Sequence, residues 1–301
     1  MIEPTKYIWM DGESIPWEKA KIHVLSHSLH YGGGVFEGIR CYQTAKGRVA
    51  LFRPREHIKR LLYSASVLKM EVPYTHDELI DALTLTVQRN ALKNGYIRPL
   101  IFYGYGKMGL LPTGAPLHVC IACWPWGSYL GEETIRLHIS SYRRIHPQTT
   151  DIQAKICGHY TNSILAGLES AHHGYDEALL LDGEGNIAEG PGENVFMVRN
   201  GELFTPSTKT VLKGITRDTI MQLADEMNIP VHEQTITPDE LKQADEVFLT
   251  GTAAEITPVR VIDKVSIGNE NIGPVTHSLK SRFTGIINGE DILSTNWLYY
   301  V

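Results

Sequence analysis

Lys155 lies in AKICGHYTNSILAGLES, residues 154–170, ahead of a run of small and apolar side chains. Ile164, Leu168 and Ala171, with Leu165 beside them, share one face at helical period. Thr161 or Asn162 is placed to cap that helix, and Gly174 to end it. Such a lysine is either an ordinary solvated one at a helix N-terminus or partly desolvated at the entry to a packed element. Burial disfavours an ammonium, and the freed amine suits a Schiff base, with a carbonyl substrate or with pyridoxal phosphate.

Other groups along the chain have the types such chemistry uses. Glu189 lies in a Gly/Pro-rich bend, AEGPGENVFMV, before the strand Asn194–Val198. Arg98 stands inside the apolar run YIRPLIFY and needs a partner there, either a substrate carboxylate or an internal ion pair. Arg55 falls in the first turn of a helix opened by Pro54, where the dipole disfavours a cation. It either points at an anion or is an ordinary exposed arginine. Gly214 precedes a helix carrying Ile220, Leu223, Ala224 and Met227, so the amides of Ile215 and Thr216 open a ready anion site, unless Thr216 is simply the N-cap. Gly251 to Glu255 is a small-residue turn with exposed amides and hydroxyls.

The positioning elements follow from pattern. Tyr7–Met10 and Ser14–Trp17 flank an Asp11-Gly12 turn, a hairpin signal. Val35–Tyr42 and Val49–Phe52 read as a second hairpin, after Gly32, Gly33 and Gly34. Helices follow from Pro54 and, with a Thr75/Glu78 capping box, to near Gly95. Strands are expected at Tyr96–Tyr103, Leu117–Trp124, Thr134–Tyr142, Glu177–Leu181 and Glu246–Thr250. The segment Trp124–Thr134 is the best boundary. The domains are therefore expected at 1–125 and 135–301, joined by a 126–134 loop whose aromatics wall a cleft.

Composition excludes several classes. The 301 residues are 43% hydrophobic and 21% charged with net charge −6, which suits a globular protein and not a nucleic-acid binder. No signal-like or membrane-spanning stretch is legible, and four cysteines make no disulfide framework, so a reducing cytoplasm is expected. Cys120 and Cys123 point to opposite strand faces, and His27 and His30 lack further ligands, so both pairs read as structural and no metal centre is expected. A nucleotide- or metal-binding module fails on spacing: no GxxxxGK run followed by Ser or Thr occurs, and the 13 histidines are scattered.

Taken together, HYGGGVFEGIRCY, FRPREHIKRL, GYIRPLIFYG, PWGSYLG, AKICGHYTNSILA, EGPGENVF, LKGITRD and GTAAEITPV resemble the branched-chain amino-acid aminotransferases, in that family's order and over nearly the whole chain. These are class IV aminotransferases and fold type IV pyridoxal-phosphate enzymes. The resemblance implies an α+β, two-domain fold like that of D-amino-acid aminotransferases, with the cofactor at the domain interface.

The resemblance also implies roles. Lys155 would hold pyridoxal phosphate as the internal aldimine and shuttle the proton between substrate Cα and cofactor C4′. Tyr160 would bond the cofactor's phenolic oxygen, and Glu189 its pyridine nitrogen. Arg55, Leu212, Ile215, Thr216, Gly251 and Thr252 would complete the cofactor and phosphate contacts. Tyr31, Phe36, Gly38, Trp126 and Tyr129 would form an apolar substrate pocket. Tyr96, Thr252 and Ala253 would take the α-carboxylate, and Arg98 the distal carboxylate of glutamate or 2-oxoglutarate. Leu110 would reach a neighbouring subunit, so a homodimer or higher homo-oligomer is implied. The implied reaction is ping-pong amino transfer from L-leucine, L-isoleucine or L-valine to 2-oxoglutarate. D-amino-acid or (R)-amine transaminases and aminodeoxychorismate lyases share the scaffold. The pairing of GYIRPL with GTAAEITPVR argues against them. Two departures stand out: His159 where asparagine is common, and GYGKMGL in the loop after the Arg98 strand.

Overall fold

A computed structural model of the protein describes residues 2–127, 130 and 134–301. The chain forms two compact units. The first is Met1–Gly127 with Ala154–His159 and Ile286–Val301, and the second is Ser128–Gln153 with Tyr160–Gly285. The chain passes from one unit to the other at 127/128. The Lys155 segment and the C-terminal residues, expected in the later domain, group with the first unit.

In the first unit, β1 (Tyr7–Met10) and β2 (Glu13–Pro16) form the expected hairpin, with Asp11 at φ 51 and Gly12 at φ 98. Then come α1 (His27–Tyr31), β3 (Gly34–Phe36), β4 (Ile39–Gln43), β5 (Val49–Phe52), α2 (Pro54–Val67), α3 (His76–Arg89), β6 (Gly95–Tyr103) and β7 (Leu117–Pro125). The C-terminal strand Leu298–Tyr300 joins them in an antiparallel sheet. Its order is C-terminal strand, β5, β4, β6, β7, β1, β2, with β3 also beside β6. Ile39, Leu51, Ile58, Leu61, Leu79, Leu83, Ile97 and Ile121 are buried in its core. The Thr75/Glu78 capping box starts α3 as expected.

The single strand expected over Val35–Tyr42 is two. Chain alternation runs through it, but Glu37 is buried against α2 and Gly38 lies against Tyr96, so the backbone leaves the sheet between β3 and β4. Helix α1 went unforeseen because five residues are too few to show a period.

In the second unit, β8 (Ile135–Arg143), α4 (Tyr160–His172), β9 (Glu177–Leu181), β10 (Asn194–Arg199), β11 (Glu202–Thr205), α5 (Ile215–Glu226), β12 (Val231–Glu233), α6 (Pro238–Lys242), β13 (Glu246–Gly251), β14 (Glu255–Ile262) and β15 (Val265–Ser266) precede α7 (Pro274–Ile287), whose last turn enters the first unit. The sheet order is β12, β11, β10, β13, β14, β8, β9, with β15 beside β14. The β11–β12, β14–β8 and β8–β9 pairs are parallel and the remaining pairs antiparallel. Leu137, Leu179, Val195, Met197, Val247, Leu249 and Ile262 fill its core.

Helix α4 begins at Tyr160, before both expected caps, and it faces the other way from the expected stripe. Ala166 and Ser170 are buried, because small side chains let the helix lie close on β8 and β9. Ile164 and Leu168 are 59% and 64% exposed. No helix among the described residues is long and apolar enough to cross a membrane.

Candidate active site

Lys155 is positioned by its main chain. In the first unit the segment carrying it runs antiparallel to residues 32–36. The Gly158 N–H donates to the Gly32 carbonyl at 3.1 Å, the Phe36 N–H donates to the Lys155 carbonyl at 3.1 Å, and Val35 bridges Ile156. The Lys155 N–H donates to Ser64 Oγ at 2.9 Å, and that hydroxyl donates to the Arg60 carbonyl at 2.8 Å. Gly32 has φ +66, and a Cβ there would stand 2.7 Å from Gly158 Cα. The glycine run is therefore used for close backbone approach beside the lysine. Lys155 Nζ stands 5.1 Å from the Phe36 ring centroid.

The same unit builds an aromatic box. Tyr96, Trp124 and Trp126 have ring centroids 5.3 to 5.7 Å apart. The carbonyls of Trp126 and Gly127 accept from the Arg40 guanidinium at 3.4 and 3.2 Å, which ties down the chain after β7. The Arg98 guanidinium carbon lies 4.8 Å from the Phe36 centroid and 5.4 Å from that of Tyr96. Its buried Nε has no hydrogen-bond partner among the described residues, and no ion pair of the described residues includes it. Of the two partners open to Arg98 from sequence, the internal ion pair is thus absent among these residues. Gly38 closes the box, since a Cβ there would lie 1.8 Å from the Tyr96 hydroxyl oxygen. Tyr31 is 43% exposed and packs on His27, and Leu110 is 81% exposed on the loop between β6 and β7. Tyr129 lies outside the described residues. Burial pushes the thiols of Cys120 and Cys123 up to about 12 and about 11, as packing groups and not nucleophiles.

The expectation for Arg55 is corrected by its surroundings. Its guanidinium pairs with Asp77 at 3.0 Å, and its side chain is 57% exposed. The inward guanidinium of α2 belongs to Arg60, one turn before the Ser64 that holds the Lys155 amide. Arg60 donates to Glu37 Oε1 at 2.5 Å and to Oε2 at 3.0 Å, and His57 Nδ1 meets Oε2 at 2.7 Å. Burial alone would raise the Glu37 carboxyl, but Arg60 and His57 outweigh it and hold the group well below its ordinary range. Burial lowers the His57 imidazole below its ordinary 6.5 despite Glu37, so His57 is neutral and donates to the carboxylate.

Both groups bind protons more readily in the unfolded chain, so acid favours unfolding. The His57 contribution is complete above its ordinary value of 6.5 and fades below it. That of Glu37 is complete above its ordinary value of 4.5 and fades as pH falls towards its depressed native value. Thermal denaturation followed against pH should give a Tm that declines below those values. Glu37→Gln should cost about 3 kcal/mol at neutral pH by stranding Arg60 and flatten the limb below the carboxylate range. Parallel acid limbs in the two proteins would contradict this.

The second unit supplies a carboxylate and an anion site around Asn194. Glu189 is 5% exposed and pairs with Arg144 Nε at 2.5 Å. Its other oxygen accepts from the Leu212 N–H at 3.1 Å and from Asn194 Nδ2 at 3.2 Å. Asn194 also donates to the Leu212 carbonyl at 2.9 Å. A Cβ on Gly214 would stand 1.9 Å from Asn194 Oδ1, so the helix start and this amide require each other's space. Gly214, not Thr216, is the N-cap of α5, and it offers no side-chain acceptor. The buried Ile215 and Thr216 therefore form an uncapped first turn whose dipole favours an anion. Asn194 pairs across the sheet with Thr250, which leads into Gly251, Thr252 and Ala253. Gly251 lies against the Gly192 carbonyl and Glu193. Tyr160 is partly buried at the first turn of α4.

Arg144, Asn194, Arg60 and Glu37 were not singled out from sequence. Their roles depend on pairing across elements, and only the buried polar neighbourhood reveals it. Each unit by itself fits part of a phosphorylated pyridine aldehyde. The first offers an anchored amine beside an aromatic box, and the second a buried, ion-paired carboxylate and a helix start suited to phosphate.

Residues 34–262 match the family model for class IV amino-transferases. The chain is 48% identical over 298 residues to the branched-chain-amino-acid aminotransferase of Escherichia coli (strain K12), covering 97% of this chain and 96% of that protein. It superposes with a TM-score of 0.95 on a crystal structure of the Escherichia coli branched-chain amino acid aminotransferase, at 47% identity and covering 98% of each chain. The branched-chain amino acid aminotransferase of Thermobaculum terrenum, in its PLP-form, gives a TM-score of 0.93 at 36% identity, with 99% of each chain covered.

Proposed function

The chain belongs to the class IV aminotransferases, and from that premise we propose that it transfers the amino group of L-leucine, L-isoleucine or L-valine to 2-oxoglutarate by a ping-pong route. Pyridoxal phosphate, when bound, supplies the electron sink for the charge left at the substrate's Cα. Lys155 would hold the cofactor, and its amine, when free, would move the proton at the substrate's Cα as base and then as acid. Glu189, kept in place by Arg144, Asn194 and the Leu212 amide, holds the proton on the pyridine nitrogen. Tyr160 donates to the phenolic oxygen. The amides of Ile215 and Thr216, with Gly251 and Thr252, take the phosphate. By the family resemblance, Tyr96 of the first unit and the Thr252 and Ala253 amides of the second are each suited to an α-carboxylate. Tyr31, Phe36, Gly38 and Trp126 exclude water from the aliphatic side chain.

One observation supports the dual specificity: the Arg98 Nε is buried within a box of aromatic rings and has no hydrogen-bond partner among the described residues. Aromatic faces suit an isobutyl group, and a guanidinium among them suits the distal carboxylate of the second substrate. Arg98→Met should lower kcat/KM for 2-oxoglutarate by about 10–100-fold while moving the leucine half-reaction only a few fold. Initial rates with L-leucine, D-alanine and (R)-1-phenylethylamine as donors test the reading. Turnover confined to D-alanine or the (R)-amine would overturn it, as would equal losses for both half-reactions in the variant.

Leu29, Tyr105, Leu110 and Leu111 are 53% to 81% exposed in the first unit, more apolar surface than a solvated loop favours. That supports a homodimer or larger homo-oligomer in which Leu110 meets a second copy. Light scattering that gave the mass of one chain would remove this part of the proposal. The four free thiols suit a reducing cytoplasm.

A further inference from the structure

Away from these residues, His138, Glu169 and His173 of the second unit converge, with one ligand atom from each all within 4.8 Å of one another. The geometry points to a site for a divalent transition cation, of the zinc class, on this face of β8 and α4.

Four features argue for a built site. The His173 N–H donates to the Glu169 carbonyl at 3.1 Å, so these two residues keep i,i+4 helical spacing and present both side chains to one place. His138 comes from the facing strand, and its Nδ1 meets Asp263 Oδ1 at 3.1 Å. A carboxylate only accepts, so Nδ1 carries the proton and Nε2 keeps its lone pair. This is the outer carboxylate that orients a metal-ligating histidine. Asp263 is itself held by Lys242 at 2.7 Å and by the Ile139 N–H at 3.1 Å, and Tyr175 stacks on the His138 ring at 5.3 Å. Glu169 is fixed by Ser140 Oγ, the Ser141 N–H and Ser141 Oγ at 2.5, 2.9 and 2.6 Å. These three bonds leave lone-pair capacity on a carboxylate that offers about four acceptor positions.

Two imidazoles and one carboxylate match the ligand preference of zinc and leave a position for water. A bound cation would tie β8 to the C-terminal end of α4 and, through Asp263, to the turn between β14 and β15. The spacing is invisible in the sequence because His138 is far in the chain from the helical pair.

Calorimetric titration of chelator-treated holoenzyme with Zn2+ tests this. We expect one Zn2+ per chain, affinity at least about tenfold lower in His173→Ala, and a loss of about 10–100-fold in Asp263→Asn, which removes no donor but releases the tautomer. A Tm that rises with Zn2+ in the native protein and not in His173→Ala accompanies it. Leucine turnover should be unchanged, and His173 is exposed, so its variant has no core to lose. No uptake below about 1 mM Zn2+, or uptake equally tight in His173→Ala, would overturn the proposal.

Discussion

Lys155→Ala should fold normally and show no measurable transamination, a loss of about 10^4-fold or more, because one amine serves as tether, base and acid. Folding survives because the segment is held by main-chain bonds, from Gly158 to Gly32, from Phe36 to Lys155 and from Lys155 to Ser64, none of which uses the ε-amine. A Tm within a few degrees of the native protein, with activity absent, separates chemistry from packing. Retained turnover, or an unfolded variant, would contradict the placement.

Gly38→Ala should be the most damaging single methyl in the first unit. The new Cβ would stand 1.8 Å from the Tyr96 hydroxyl oxygen and 2.6 Å from its Cζ. Tyr96 cannot swing aside freely, since Trp124 and Trp126 both pack within 5.3 Å. Either the ring or the β3–β4 break must move, and overpacking of this kind costs about 1–3 kcal/mol. Displacing a substrate-orienting group by about 1 Å costs about 100-fold in rate, so kcat/KM for leucine should fall by that order. Gly167→Ala, where a Cβ meets nothing within 4 Å, is the control and should leave rate unchanged. Equal activity in both variants would remove Tyr96 and Gly38 from the substrate site.

Turns and caps are local, so they are legible in sequence: Asp11-Gly12 and Thr75/Glu78 fall where spacing places them. Lys155 and Arg98 draw notice in sequence because a lysine precedes an apolar helix and an arginine stands inside an apolar strand. Burial direction was harder. The apolar stripe of α4 faces outward because Ala166 and Ser170, not Ile164 and Leu168, fit against β8 and β9. Arg55 and Arg60 lie on one helix, five residues apart, and sequence alone does not say which face α2 buries; the Ser64 bond to Lys155 decides it. Arg144 and Asn194 both bond Glu189, an acceptor brought to them by the fold.

In the proposed reaction Lys155, alone among the lysines, carries the cofactor. Borohydride reduction of the holoenzyme followed by peptide mass spectrometry reads this directly. The pyridoxyl mass should appear on the peptide containing Lys155 and disappear in Lys155→Ala. The mass on another lysine, or on none while transamination proceeds, would contradict that assignment.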